Sequence, residues 1–243
     1  TSDQLGYALA VGDLNTDGRL DLTVGSYAFS GGDGNGRAHI FYSQNGQINT
    51  NKTMTGAGTN NYFGSSFAKG DFNSDGRIDL AVGAEGVSSD AGAVYLFYND
   101  GTLPTAAGSA DLTITGTALS DFFGVAMTAG DFNADGRTDI AVGARGHSTN
   151  TGRAYIFYND GSTPTAAGSA DVTITGGASG DYFGISLATG DMNTDNKDDL
   201  IVGAERYSTS TGRAYAFLND GSIPTTAGTA DVTFTGVATN NRF

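Results

Sequence analysis

The sequence predicts an all-β fold, a β-propeller of four-stranded antiparallel blades. The first observation behind this is an internal repeat. Gly6, Gly64, Gly124 and Gly184 stand 58, 60 and 60 residues apart, each after an apolar residue: Leu5, Phe63, Phe123 or Phe183. The second is that every repeat holds four short runs alternating at period two, too short for helices. The third is composition: 38 Gly against three Pro in 243 residues, with abundant Thr and Ser, suits many short strands and tight turns. Four-stranded units of this length are blade-sized, whereas linear β-solenoids usually repeat at roughly 20–30 residues.

The blades run approximately over residues 1–58, 59–118, 119–178 and 179–238, and residues 239–243 start a further motif in phase with 1–5. In the second repeat the strands are expected at Ser65–Gly70, Ile78–Ala84, Ala93–Tyr98 and Asp111–Thr115. Strand one has one small side, Ala8/Ala10, Ser66/Ala68, Ala126/Thr128 and Ser186/Ala188, which fits the crowded axis of a ring. Asp100-Gly101, Asp160-Gly161 and Asp220-Gly221 read as hairpin turns between strands three and four, with Asn45-Gly46 in the first repeat. Pro104, Pro164 and Pro224 precede strand four, where no ladder donor is needed.

The connection between strands one and two carries chemistry. The run DFNSDGRID places acceptors at its first, third, fifth and ninth positions, Asp71, Asn73, Asp75 and Asp79, with Gly76 after the fifth. The seventh, Arg77, is assigned through its carbonyl. Three carboxylates this close repel one another unless a cation sits among them. Calcium takes six to eight oxygens from such a curled loop, and a Gly after the fifth position allows the reversal. The pattern recurs at Asp13, Asn15, Asp17, Arg19 and Asp21, and at Asp131, Asn133, Asp135, Arg137 and Asp139. The fourth copy is Asp191, Asn193, Asp195, Lys197 and Asp199, with Asn196 in the glycine position. Up to four Ca2+ are therefore expected, one per blade. Of the 26 acidic residues 12 are the candidate ligands of these loops, and four divalent cations, +8 in all, would reduce the formal charge of −14 to −6.

Phe63-Gly64, then Gly70-Asp71-Phe72-Asn73, then Asp79-Leu80-Ala81-Val82-Gly83-Ala84 resembles the FG-GAP repeat of integrin α-subunit propellers and their bacterial relatives. The resemblance covers essentially the whole chain and implies calcium ligands at the four loops. Departures are Leu5 for Phe, Ser26 for Ala, Asn196 for Gly, and Glu85, Arg145 and Glu205 where Pro is common. None removes a carboxylate. That family typically closes seven blades and this chain holds four. The expectation is thus a segment of a larger ring, continuing beyond Phe243 or pairing with other chains. The alternative is a closed four-bladed ring with the Leu5 blade packed on the blade of residues 231–235.

Strong acidity excludes a nucleic-acid surface, and no apolar run approaches a membrane span. The sequence has no cysteine, two histidines, and no nucleophile elbow, phosphate loop or HExxH motif, so no enzyme is expected. In an up-and-down blade the strand two-to-three and four-to-one loops share the face opposite the metal loops. There Tyr27, Phe29, Arg145, His147, Arg206 and Tyr207 break the repeat symmetry and are the ligand-face candidates. The expected function is a calcium-stabilised extracellular adhesion or partner-recognition module with a protein or glycan ligand. The alternatives are a lectin-like carbohydrate binder and an accessory propeller of a larger secreted polysaccharide- or lipid-processing enzyme.

Overall fold

A computed structural model describes residues 3–28, 34–44, 47–162 and 164–238. The blade-one strands are β1 (Leu5–Gly12), β2 (Asp21–Ser26), β3 (Arg37–Gln44) and β4 (Gln47–Thr55). Blade two has β5 (Phe63–Gly70), β6 (Asp79–Ala84), β7 (Ala93–Phe97) and β8 (Leu112–Thr115). Blade three has β9 (Phe123–Gly130), β10 (Asp139–Ala144), β11 (Arg153–Phe157) and β12 (Val172–Thr175). Blade four has β13 (Phe183–Gly190), β14 (Asp199–Ala204), β15 (Arg213–Phe217) and β16 (Val232–Thr235). Each blade is one antiparallel sheet in chain order. The first strands are innermost, with β1 against β5, β5 against β9 and β9 against β13. Their large side chains face the preceding blade and their small ones the following blade, as Phe67 and Ala68 do in β5.

Three apolar clusters fill the three blade interfaces. Phe63, Phe123 and Phe183 are fully buried there. The Phe123 ring meets Tyr155 and Phe157 edge-on, at 5.6 and 6.2 Å between centroids. Gly124, which follows it, has φ +87 and turns its carbonyl onto the preceding blade, so that a Cβ on Gly83 would stand 2.3 Å from it. The two ends of the repeat signature therefore touch across an interface: the Gly after Phe belongs to one blade, and the central Gly of Val82-Gly83-Ala84 to its neighbour.

The connection between strands three and four departs from the expected tight hairpin in blades two to four. Leu96 pairs with Leu112, Ile156 with Val172 and Ala216 with Val232, so Asp100-Gly101, Asp160-Gly161 and Asp220-Gly221 sit inside long loops. The chain leaves the sheet because it straps the preceding blade. Thr55 N–H donates to Thr105 O at 3.0 Å, Thr115 to Thr165 at 3.1 Å and Thr175 to Thr225 at 3.0 Å. In blade one Gln44 pairs with Gln47, leaving two residues between the strands. Asn45 and Gly46 themselves lie outside the described residues.

The ring is open. Among the described residues β1 and β13 share no packing comparable to that of neighbouring first strands. Leu5 is 61% exposed and Phe234 53% exposed. These residues belong to the two faces that a closed four-bladed ring would bury, which overturns that alternative. Residues 239–243, read as the start of a further motif, lie outside the described residues.

Candidate metal loops and ligand face

Each loop between strands one and two is curled by its own acceptors. The Asp71 carboxylate accepts from Asp75 N–H at 3.0 Å and from Gly76 N–H at 2.8 Å. Asn73 Oδ1 accepts from Asp75 N–H, and Asp75 Oδ1 from Arg77 N–H. Asp79, at the start of β6, ties the loop down: its oxygens accept from Phe72 N–H at 2.8 Å and Asn99 N–H at 2.7 Å. Asp13, Asn15, Asp17 and Asp21 repeat this lattice, as do Asp131, Asn133, Asp135 and Asp139, and Asp191, Asn193, Asp195 and Asp199. Gly76 has φ +84 and Asn196 φ +66, so Asn196 does take the left-handed conformation its position requires.

Asp21, Asp79, Asp139 and Asp199 are buried. Burial pushes the Asp79 carboxyl up to about 6, opposed by the Asn99 and Phe72 N–H groups and reinforced by the charges of Asp75 and Asp71. Asp139 is likewise pushed up to about 6, chiefly by burial. The loop cations do not offset this. Arg77 Nη1 donates to Asn99 O at 3.3 Å and Arg137 Nη1 to Asn159 O at 3.1 Å. Among the described residues only Asp195 of the loop acids has a cationic side chain within reach, Lys197 at 4.0 Å. Among those residues, too, no three His, Asp or Glu side chains gather closely enough to hold one metal ion.

Asn99, Asn159 and Asn219 escaped the sequence reading, in which they merely preceded turn signals. Asn99 Nδ2 donates to Leu14 O at 3.0 Å, Asn159 Nδ2 to Asp71 O at 3.4 Å and Asn219 Nδ2 to Phe132 O at 2.7 Å. Each reaches from one blade to the metal loop of the blade before it.

On the opposite face the symmetry-breaking residues gather into a chain of rings and charges. Tyr27 lies 4.1 Å from Tyr7 and 5.4 Å from Tyr62 between centroids. Arg145 pairs with Glu85 at 3.3 Å, lies over Phe122 at 3.9 Å and stands 5.8 Å from Tyr182. Arg206 covers Tyr182 at 4.3 Å and pairs with Glu205 at 3.7 Å. His147 and Tyr207 are engaged elsewhere, His147 Nδ1 with Asp121 Oδ2 at 3.2 Å and Tyr207 beneath Arg213 at 3.7 Å. Phe29 lies outside the described residues. Tyr62, Phe122 and Tyr182, which the sequence reading passed over, each precede the interface Phe and have φ +56, +54 and +59. A left-handed aromatic residue costs about 1–2 kcal/mol. Its recurrence one position before each Phe was the available signal.

The FG-GAP repeat family matches residues 5–41, 63–97, 123–157 and 183–217. Phosphatidylinositol-glycan-specific phospholipase D of Homo sapiens is 30% identical over 84% of this chain and 26% of its own length. Integrin alpha-IIb of Homo sapiens is 34% identical over 82% of this chain and 20% of its own. A solved structure, the biofilm matrix protein Bap1 of V. cholerae, overlays 89% of this chain and 27% of its own with a TM-score of 0.43 and 19% identity. The chain thus spans about a quarter or less of the length of these curated relatives. Four matched repeats falling one to a blade leave one conclusion: the chain belongs to the FG-GAP repeat family.

Proposed function

We propose that this chain is a non-catalytic recognition module of a larger extracellular protein, held together in part by calcium and binding a partner through the face opposite its metal loops. The observation that carries the recognition reading is the run from Tyr7 through Tyr27 and Tyr62 to Phe122, Arg145, Tyr182 and Arg206. Aromatic and guanidinium groups are the usual anchors of interfaces; here Tyr7 and Arg206 are exposed and the rest of the run is half-buried, and three of its aromatic residues are held on that face despite backbone strain. A module serving a larger protein agrees with the relatives, one an integrin chain and one a phospholipase D, each several times longer than this chain. Adhesion of protein-coated beads to surfaces bearing matrix proteins tests it. Arg206→Ala should lower adhesion with no change in melting, Arg145→Ala should lower it together with some stability because it leaves buried Glu85 unpaired, and unchanged adhesion in both would refute the reading.

For calcium the donor types and their spacing along the chain fit, although no three carboxylates converge on one point among the described residues. In the second loop the side-chain oxygens of Asp71, Asn73 and Asp75 with Asp79, and the carbonyl of Arg77, would hold the ion. It would supply the countercharge that Arg77, engaged with Asn99 O, does not. Sites of this type filled at millimolar calcium suit an extracellular setting. Among the described residues no helix is long and apolar enough to cross a membrane.

A further inference from the structure

The outer grooves between blades differ in what fills them: Val87, Asn61 and Ala57 between blades one and two stand where the next grooves hold His147, Asp121 and Thr117, then Tyr207, Asp181 and Gly177. Between blades two and three, His147 bonds Asp121 at 3.2 Å, and the Thr117 methyl lies 3.7 Å from where a Cβ on Gly168 would stand. Between blades three and four the equivalent residues are Tyr207, Asp181, Gly177 and Gly228. No side chain fills the place of Thr117, and a Cβ on Gly228 would meet nothing within 4 Å. Asp181 is only 5% exposed and its carboxylate takes the Ala178 and Ser208 N–H groups, yet its Oδ2 has no hydrogen-bond partner among the described residues. That oxygen lies 3.7 Å, and the Tyr215 hydroxyl 3.8 Å, from the point where a Cβ on Gly177 would sit. Two adjoining clefts of about 550 and 290 Å³ share Ala178, Asp181 and Tyr207 in their walls.

We propose that this groove binds a neutral saccharide, one hydroxyl of which enters the slot beside Gly177 and donates to Asp181. A buried acceptor without a donor is costly, so a ligand that supplies the donor is bound preferentially. The group entering the slot must give a hydrogen to Asp181 and can take one from the Tyr215 hydroxyl, which a hydroxyl does and an ammonium does not. Arg213, stacked on Tyr207 at 3.7 Å, places a positive charge at the groove and further disfavours a cation. The rim offers the Tyr207 ring for the apolar face of a pyranose, and Ser179, Ser208 and Ser210 for its outer hydroxyls. The site adjoins the proposed recognition run, whose Arg206 lines the larger cleft, but Gly177, Asp181 and Tyr215 are not part of that run, so loss of sugar binding and loss of adhesion are read at different residues.

The test is protein-observed NMR titration of the whole chain with galactose, mannose, glucose, fucose and xylose to tens of millimolar. At least one should shift the amides of residues 177–181 and 207–215. Gly177→Thr restores the residue of the preceding groove at a position without a positive φ and with only ordinary contacts around it. It and Asp181→Asn, which keeps an oxygen for the Ala178 and Ser208 N–H groups, should each weaken binding at least tenfold at unchanged melting temperature, while Arg145→Ala should not weaken it. Absence of shifts with all five sugars, shifts confined to other residues, equal binding by Gly177→Thr, or preferential binding of methylammonium would each overturn the proposal.

Discussion

Phe123 and Leu5 begin equivalent strands, one inside the stack of blades and one at its end. Phe123 is fully buried between Tyr155, Phe157 and the face of blade two, whereas Leu5 is 61% exposed. The same contrast holds for strand four, where Ile114 and Ile174 are buried and Phe234 is 53% exposed. The repeat thus specifies two half-interfaces per blade, and the neighbouring blade turns them into a core. Blades two and three are complete on both sides, and blades one and four on one side each. Exposed sheet faces of this kind are what a further blade would cover.

The largest effect should come from the interior Phe. Phe123→Ala is expected to cost about 3–5 kcal/mol in denaturant unfolding, the range for a buried aromatic. Leu5→Ala should cost less than about 1 kcal/mol, as for a surface position. Equal costs at the two positions would show that the first blade is covered after all. Calcium should come next, acting on all blades. At a hundredfold excess over Kd a single site contributes about 2.7 kcal/mol by linkage, and Asp75→Ala should lose more of this than Asn73→Ala, because it removes charge as well as an oxygen. Identical melting in excess calcium and in chelator would remove the metal from the account. A smaller contrast sits at the glycine of the strand-two signature. Gly83→Ala drives a methyl onto the Gly124 carbonyl of the next blade and should cost about 1–3 kcal/mol, in the range of other overpacked sites. Gly203→Ala meets only the Ser186 side chain, which can turn aside, and should cost less. If Gly203 proves the more sensitive, the closing carbonyl is not what the glycine is for.

The blades were legible because their signals are local: alternation, the Phe-Gly pair and the Asp spacing all lie within one repeat. What was missed depends on the neighbouring repeat. Asn99 looks like part of an Asn-Asp-Gly turn until its amide is seen on Leu14 of the preceding blade, 85 positions earlier. The loop that carries Asp100-Gly101 looks like a hairpin because the strand it straps, β4, is in another sheet. His147 was singled out as a break in symmetry, and it is one. Its imidazole serves Asp121, while the aromatic residues that complete the proposed ligand face, Tyr62, Phe122 and Tyr182, are hidden in the repeat itself. Periodicity marks what every blade shares and is silent on what two blades make together.

The smallest difference expected concerns the metal loops themselves. Loops one, two and three each accept a hydrogen bond from the Asn of the following blade, at Leu14, Asp71 and Phe132, and each buries its second or neighbouring residue there. Loop four has no following blade among the described residues, and its second residue, Met192, is 44% exposed where Phe132 is buried. It also holds Asn196 at φ +66 where the others hold glycine. A hydrogen bond of this kind is worth about 0.5–1.5 kcal/mol, and exchanging a left-handed Asn for Gly shifts stability by about 1 kcal/mol or less. Loop four should therefore be the weakest calcium site, by roughly tenfold if the two effects add, on the scale of about 1.4 kcal/mol per tenfold. A titration followed through the amides of Gly18, Gly76, Gly136 and Asn196 reads the four loops separately. Asn196→Gly should recover part of the difference, and Asn159→Ala should weaken loop two while leaving loop one as it was. Should the Asn196 amide respond first, the clamp from the next blade has no bearing on affinity, and the loops are set by their own residues alone.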